Sequence, residues 1–130
     1  MSGIFDPNTY IRTVTIVGCG GTGASTARIC ARIAYDMQRS RLHAPQIVLI
    51  DPDPVSELNI GRQLFSPSLL GMNKAACVGR MLNLALGLDV RWIPEPVDPV
   101  RHFDRYGSNL MVSCVDNHCS VSQLLLRMTA

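Results

Sequence analysis

Four glycines lie close together near the start of the chain, in the sequence Gly-Cys-Gly-Gly-Thr-Gly. Gly18, Gly20 and Gly23 have the spacing G-x-G-x-x-G, and Gly21 is the fourth. Glycines at this spacing permit a tight turn in which the backbone approaches a phosphate with no Cβ in the way, and a following helix then offers its free N–H groups to the anion. The motif predicts a site for a nucleotide or dinucleotide, and a glycine turn that binds nothing is the alternative.

Two aspartates each follow an apolar run. Asp51 comes about 30 residues after the glycines, where Rossmann-type proteins use a carboxylate to accept hydrogen bonds from ribose hydroxyls. Asp116 follows a later run, and on its own it could equally be the N-cap of the next helix. These carboxylates predict a nucleoside site but do not identify the base.

Several polar residues in the middle of the chain have no evident use in a dinucleotide site. A triphosphate carries about four negative charges, more than one helix terminus offsets, so Arg, Lys and a carboxylate-held Mg²⁺ are expected beside it. A solvated surface is the other interpretation. The residues are Asn59, Arg62, Gln63 and Lys74.

Short β-branched apolar runs and helical spacings alternate along the chain, which predicts the elements that position these residues. We predict strands at 13–17, 46–50, 90–93 and 110–115, and helices at 22–39, 73–86 and 121–128. Residues 59–71 are predicted to form a loop with a turn at Ser66-Pro67, and Asn73 to cap the second long helix.

This alternation predicts an α/β fold, a Rossmann-like doubly wound, mainly parallel sheet of about four strands in the order 3-2-1-4, with flanking helices. In that order the carboxyl ends of strands one, two and four open onto one crevice, so the glycines, Asp51 and Asp116 should converge. We expect one domain over residues 1–130.

Composition narrows the function classes. A formal net charge of +2 is too small for a nucleic-acid-binding face, and no apolar run is long enough to cross a membrane. With no signal-peptide pattern, we expect a cytoplasmic protein. Five cysteines without a Cys-x-x-Cys pair and three histidines without ligand spacing argue against disulfides and zinc.

Four segments resemble, in order and spacing, the ThiF/MoeB/ubiquitin-activating-enzyme family: GCGGTG, IDPDPVSELNIGRQLF, GMNKA and SCVDN. The wording looks closest to the ThiF-like proteins of PRTRC plasmid systems. The resemblance implies an ATP-dependent adenylyltransferase that activates the C-terminal carboxylate of a ubiquitin-like protein. It also implies that Asp51 binds the ribose of ATP and that Asp116 holds Mg²⁺, while the phosphates are contacted by Asn59, Arg62, Gln63 and Lys74. Arg62, Lys74 and Asp116 would be the catalytic residues.

The chain also departs from the family. Its members are usually longer, and the further strands, the partner-protein surface and the zinc-binding cysteine pair are not evident here. We therefore expect a domain incomplete at its C-terminus that works as a homodimer or with a completing partner. Two alternatives stay open: a non-catalytic nucleotide-binding or assembly module, and an NAD-binding Rossmann protein.

Overall fold

The computed structural model describes residues 11–61, 63, 65–103 and 109–115. Two α-helices and four β-strands alternate along most of this part of the chain. The strands are β1 (Thr13–Val17), β2 (Gln46–Ile50), β3 (Arg91–Ile93) and β4 (Asn109–Ser113), and the helices are α1 (Gly21–Arg39) and α2 (Lys74–Leu86). The helix predicted over residues 121–128 lies outside the described residues.

The four strands form one parallel sheet in the order β3-β2-β1-β4, which confirms the predicted Rossmann-like fold. The chain moves outward from β1 through β2 to β3 and then returns to the other side of β1. This reversal leaves the carboxyl ends of β1, β2 and β4 side by side, which is where open α/β sheets bind ligands.

The central strands form because their apolar residues are buried on both faces of the sheet, as expected for parallel strands. Ile16, Leu49 and Ile50 are almost completely buried. Helices α1 and α2 contact each other as well as the sheet. Both crossovers advance in the same direction across the sheet, so the usual right-handed connection puts the two helices on the same face.

Small residues on α1 let that helix lie close to the sheet. Its buried face consists of Gly23, Ala24, Ala27, Ala31 and Ala34. Helix α2 begins at the predicted N-cap, because the Asn73 side chain accepts a hydrogen bond from the Ala76 N–H at 3.0 Å. It ends at Gly87, whose φ of 64° is the left-handed C-cap conformation.

The predicted bounds of β4 were wrong by one residue at its start and two at its end. β4 pairs residue for residue with β1, from Thr13↔Asn109 to Val17↔Ser113. Because β1 stops where the glycines begin, the ladder stops at Ser113, although the Cys114 N–H still donates to Val17 O at 2.7 Å.

The loop between β2 and α2 contains two short 3₁₀ helices, Glu57–Asn59 and Pro67–Leu69, the second at the predicted Ser66-Pro67 turn. Within the part of the chain that the structure describes, neither α1 nor α2 has the length and apolar content needed to cross a bilayer.

Candidate functional site

The glycine loop, residues 18–23, joins β1 to α1 in a turn that has no room for side chains at two positions. Gly18 has φ +93°, and a Cβ there would lie 2.9 Å from Cys114 O. A Cβ on Gly23 would lie 1.7 Å from Gly18 O, so the start of α1 touches the end of β1 directly. The predicted tight turn is therefore visible at Gly18 and Gly23, whereas the predicted approach of the backbone to a phosphate stays a prediction.

Asp51 connects the end of β2 to the glycine loop. Its side chain is buried, with Oδ2 accepting a hydrogen bond from the Cys19 N–H at 2.7 Å and Oδ1 one from the Asp53 N–H at 2.8 Å. A carboxylate oxygen can accept more than one hydrogen bond, so Asp51 can still accept from a ribose hydroxyl. The predicted convergence of Asp51 with the glycines is present in the structure.

A cavity of about 360 Å³ opens beside the glycine loop. Its size is at the lower end of the range for small-molecule sites. The segment between β2 and α2 supplies Asn59 and Gln63 to its wall, so two of the polar residues that the sequence singled out face the same space as the glycines. The lining residues are Gly20, Gly21, Thr22, Leu58, Asn59, Gln63 and Cys114.

Asn59 has a structural task as well as a place in the cavity wall. Its Oδ1 accepts hydrogen bonds from the Ser56 N–H at 2.9 Å and the Ser56 hydroxyl at 3.0 Å, which closes a capping box around the first 3₁₀ helix. The remaining polar group of this amide is Nδ2, a donor. Asn59 can therefore offer an N–H to an anion such as a phosphate.

Gln63 lies against the glycine loop, with Nε2 3.3 Å from where a Cβ on Gly20 would be. Among the described residues, its Oε1 is the buried side-chain atom that lacks a hydrogen-bond partner. A buried acceptor without a partner is costly, and such atoms are often explained by a group that the structure lacks. A ligand in the cavity that carries an N–H or O–H donor would satisfy it, which fits a nucleotide.

Lys74 is the first residue of α2 and approaches the glycine loop from the β2 side. Its backbone N–H donates to Asp53 O at 2.9 Å, and its side chain is half-buried. Burial raises the pKa of the Cys19 thiol to about 12, the charges of Asp51 and Cys114 add to this, and the charge of Lys74 opposes it. Lys74 and Asp51 thus both act electrostatically on the glycine loop.

The predicted site residues form two groups around the glycine loop. Asp51 follows β2 and Lys74 begins α2 beside it, whereas Asn59 and Gln63 line the cavity, which Asp51 and Lys74 do not. Arg62 and Asp116 lie outside the described residues. In the described ranges, no three His, Cys, Asp or Glu side chains form a group that could hold a metal ion.

Sequence reasoning missed three residues of the cavity wall, Thr22, Leu58 and Cys114, and Thr22 was predicted only as the start of a helix. Leu58 is 76% exposed although apolar, and Cys114 lies where β4 ends beside Gly18. Cys114 carried one usable signal, because it stands two residues before Asp116, at the end of a predicted strand. Nothing in the local pattern around Leu58 distinguished it from an ordinary loop residue.

Comparison with known proteins adds to this geometry. Residues 11–129 match the model of the family described as the ThiF family. One relative is the ubiquitin-like modifier-activating enzyme 5 of Drosophila erecta, which is 28% identical over 120 residues. This match covers 82% of the chain but 28% of the relative, so the chain spans less than a third of that protein.

Solved structures show the same fold. Escherichia coli tRNA N6-threonylcarbamoyladenosine dehydratase, TcdA, in complex with ATP, has a TM-score of 0.72 and 22% identity, covering 91% of this chain and 46% of that one. Escherichia coli MccB, solved with succinimide, has a TM-score of 0.68 and 25% identity, covering 88% of this chain and 32% of MccB.

Proposed function

Because the chain belongs to the ThiF family, we propose that it binds ATP·Mg²⁺ and adenylates the C-terminal carboxylate of a ubiquitin-like protein or peptide. The observation that carries the proposal is the cavity of about 360 Å³ that the glycine loop shares with Asn59 and Gln63. The TcdA structure contains ATP, and MccB has been solved with MccA, which supports a nucleotide and a peptide-like substrate.

The reaction needs no protein base. An ionised carboxylate oxygen attacks the α-phosphorus, the bond from that phosphorus to the bridging oxygen of the β-phosphate breaks, and pyrophosphate leaves with the electron pair. The products are an acyl-adenylate and pyrophosphate, and no proton is transferred. The work left for the protein is positioning and the neutralisation of developing charge.

Each site residue then has a role in the proposal. Asp51 accepts from the ribose, and Asn59 and Gln63 make amide contacts with the nucleotide. Arg62 and Lys74 neutralise the phosphates. Asp116 would hold Mg²⁺, whose contribution is further charge neutralisation. The position of Cys114 supports this last role. Cys114 lines the cavity, and Asp116 is only two residues further along the chain, a separation that spans at most about 7 Å.

A triphosphate accounts for the site better than NAD does. The glycine loop and Asp51 would serve either ligand, but a dinucleotide has no evident contact for Asn59, Gln63 and Lys74 to make. All three lie around the glycine loop in the structure. From the sequences of the motifs we further propose that the protein is related to the ThiF-like proteins of PRTRC plasmid systems. From the sequence composition we also propose that it is cytoplasmic.

Replacing Lys74 with alanine should weaken ATP·Mg²⁺ binding by about 1.5–3 kcal/mol, because a charged hydrogen-bond donor to the phosphates is lost. Titration calorimetry with ATP·Mg²⁺, AMP and NAD measures this, and the wild type should prefer ATP. Arg80→Ala is the matched control, because it removes one positive charge from the same helix, where Arg80 lies over the Trp92 ring at 5.7 Å. Equal affinity for NAD and ATP, or equal losses in the two variants, would contradict the proposal.

Catalysis itself is tested by the exchange of labelled pyrophosphate into ATP in the presence of a candidate ubiquitin-like protein. We expect Mg²⁺-dependent exchange from an assembly, either a homodimer or a complex with a completing partner, as judged by light scattering. A chain that binds ATP in every assembly but never catalyses exchange would instead be a non-catalytic nucleotide-binding module.

A further inference from the structure

Asn73 connects the start of α2 to the end of β2 with both ends of its side-chain amide. Its Oδ1 accepts from the Ala76 N–H at 3.0 Å, and its Nδ2 donates to Asp51 O at 2.8 Å and more weakly to Asp53 O at 3.4 Å. The helix cap is therefore also a link between α2 and the residue that holds the glycine loop.

Backbone hydrogen bonds beside Asn73 extend this link. The segment after β2 runs antiparallel to the segment before α2, with the Val55 N–H donating to Met72 O at 2.8 Å and the Lys74 N–H donating to Asp53 O at 2.9 Å. From the glycine loop, the path to Lys74 is short. The Cys19 N–H binds the Asp51 carboxylate, the Asp51 carbonyl binds Asn73, and Lys74 follows Asn73 in the chain.

We propose that Asn73 is a positioning residue, which fixes where Lys74 stands relative to the glycine loop and thereby sets the affinity for the nucleotide. This inference rests on the proposed function. Capping alone does not require asparagine, because Ser, Thr and Asp also accept a hydrogen bond from a helix N–H. Only asparagine among them can also donate an amide N–H to the carbonyls of Asp51 and Asp53.

The substitution Asn73→Asp separates the two tasks. Aspartate keeps the cap and adds a negative charge at the helix N-terminus, which by itself stabilises a helix. It replaces the Nδ2 donor with an oxygen that faces the carbonyl oxygen of Asp51, however, so the link to β2 becomes a repulsion. Asn73→Ser is the milder variant, which keeps a cap and has no amide donor.

The chain offers a matched control on the same helix. Asn83 is also an asparagine whose amide bonds a backbone in both directions, donating to Val90 O at 3.0 Å and accepting from the Val90 N–H at 2.6 Å. It connects α2 to Val90 at the amino end of β3, whereas the glycine loop follows the carboxyl end of β1. Asn83→Asp therefore breaks a comparable link without touching Lys74.

Two measurements on the full chain decide the inference. The first is calorimetry, which gives the affinity for ATP·Mg²⁺. The melting temperature of each variant serves as the control for stability. Lys74 is the only lysine in the sequence, so reductive methylation with ¹³C-formaldehyde gives one lysine side-chain NMR signal, which reports on its surroundings without any nucleotide. The α-amino group is distinguished by its lower pKa.

We expect Asn73→Asp and Asn73→Ser to move the Lys74 signal and to weaken ATP binding about tenfold, since a displaced Lys74 loses its charged hydrogen bond to the phosphates. Asn83→Asp should leave the Lys74 signal in place and the affinity for ATP within about twofold of the wild type. Its loss of melting temperature should be similar to that of the Asn73 variants. An unmoved Lys74 signal, or equal losses of affinity at the two asparagines, would overturn the inference. If the wild type does not bind ATP, the proposed function fails, and the Lys74 signal alone still decides whether Asn73 positions that residue.

Discussion

Gly23→Ala should destabilise the protein by about 3 kcal/mol or more, because the new methyl group has no space. Its Cβ would lie 1.7 Å from Gly18 O and 2.6 Å from the carbonyl carbon of Gly18. Both atoms belong to backbone, so no side chain can rotate away, and α1 must separate from the end of β1. Thermal or urea unfolding measures the loss, which corresponds to a fall in melting temperature of roughly 10 °C.

Gly21→Ala is the control, since a Cβ there would meet only Gln63 Cγ, at 3.8 Å, which is an ordinary contact. This variant should keep the stability of the wild type and, because Gly21 lines the cavity, reduce nucleotide affinity. The pair of variants separates the glycine needed for packing from one that faces the ligand. A Gly23→Ala protein that melts within a few degrees of the wild type would show that the contact between α1 and β1 is not as close as described.

Asp51→Asn should cost about 1.5–3 kcal/mol of folding free energy, as expected when a buried carboxylate that accepts backbone N–H groups is replaced. Both carboxylate oxygens accept backbone N–H groups, from Cys19 and Asp53. An asparagine of the same shape can accept only through Oδ1, so its NH₂ group would face one of these N–H donors. We expect ATP binding to weaken as well, because the glycine loop loses its anchor and the ribose its acceptor.

Asp53→Asn controls for the loss of one negative charge at the same strand end, because Asp53 is exposed and its backbone carbonyl forms the contacts with α2. This variant should have an unfolding midpoint and an affinity for ATP close to those of the wild type. Urea unfolding monitored by circular dichroism measures the first, and calorimetry measures the second. Similar unfolding midpoints for the Asp51 and Asp53 variants would mean that the carboxylate does not hold the loop.

The sheet and the glycine loop could be predicted because local residue types determine them. The β-branched runs at β1 and β2 stop at a glycine or at Asp51-Pro52, and parallel strands of this kind have few alternative orders. The same reasoning placed Asp51 beside the glycines. It could do so because the strand order determines which strand ends are adjacent, and the carboxyl end of β2 lies beside that of β1.

Side-chain hydrogen bonds between distant segments could not be predicted. The amide of Asn73 reaches back 22 residues to Asp51 O, and whether it does so depends on how α2 packs against β2. The unpartnered Oε1 of Gln63 depends in the same way on how the connecting segment folds over Gly20. Sequence spacing constrains such contacts only within one element. The ligand-binding and catalytic roles given to the site residues all stay predictions: Asp51, Asn59, Arg62, Gln63, Lys74 and Asp116.

Burial protects the thiol of Cys19 in the glycine loop from chemical modification. The side chain is completely buried, and this burial raises its pKa and so disfavours the thiolate, the form that peroxides and alkylating agents attack. Oxidation of this cysteine to sulfenic acid would add a polar oxygen to a turn that has no room for it. The glycine loop should therefore keep its conformation under oxidising conditions that modify accessible cysteines.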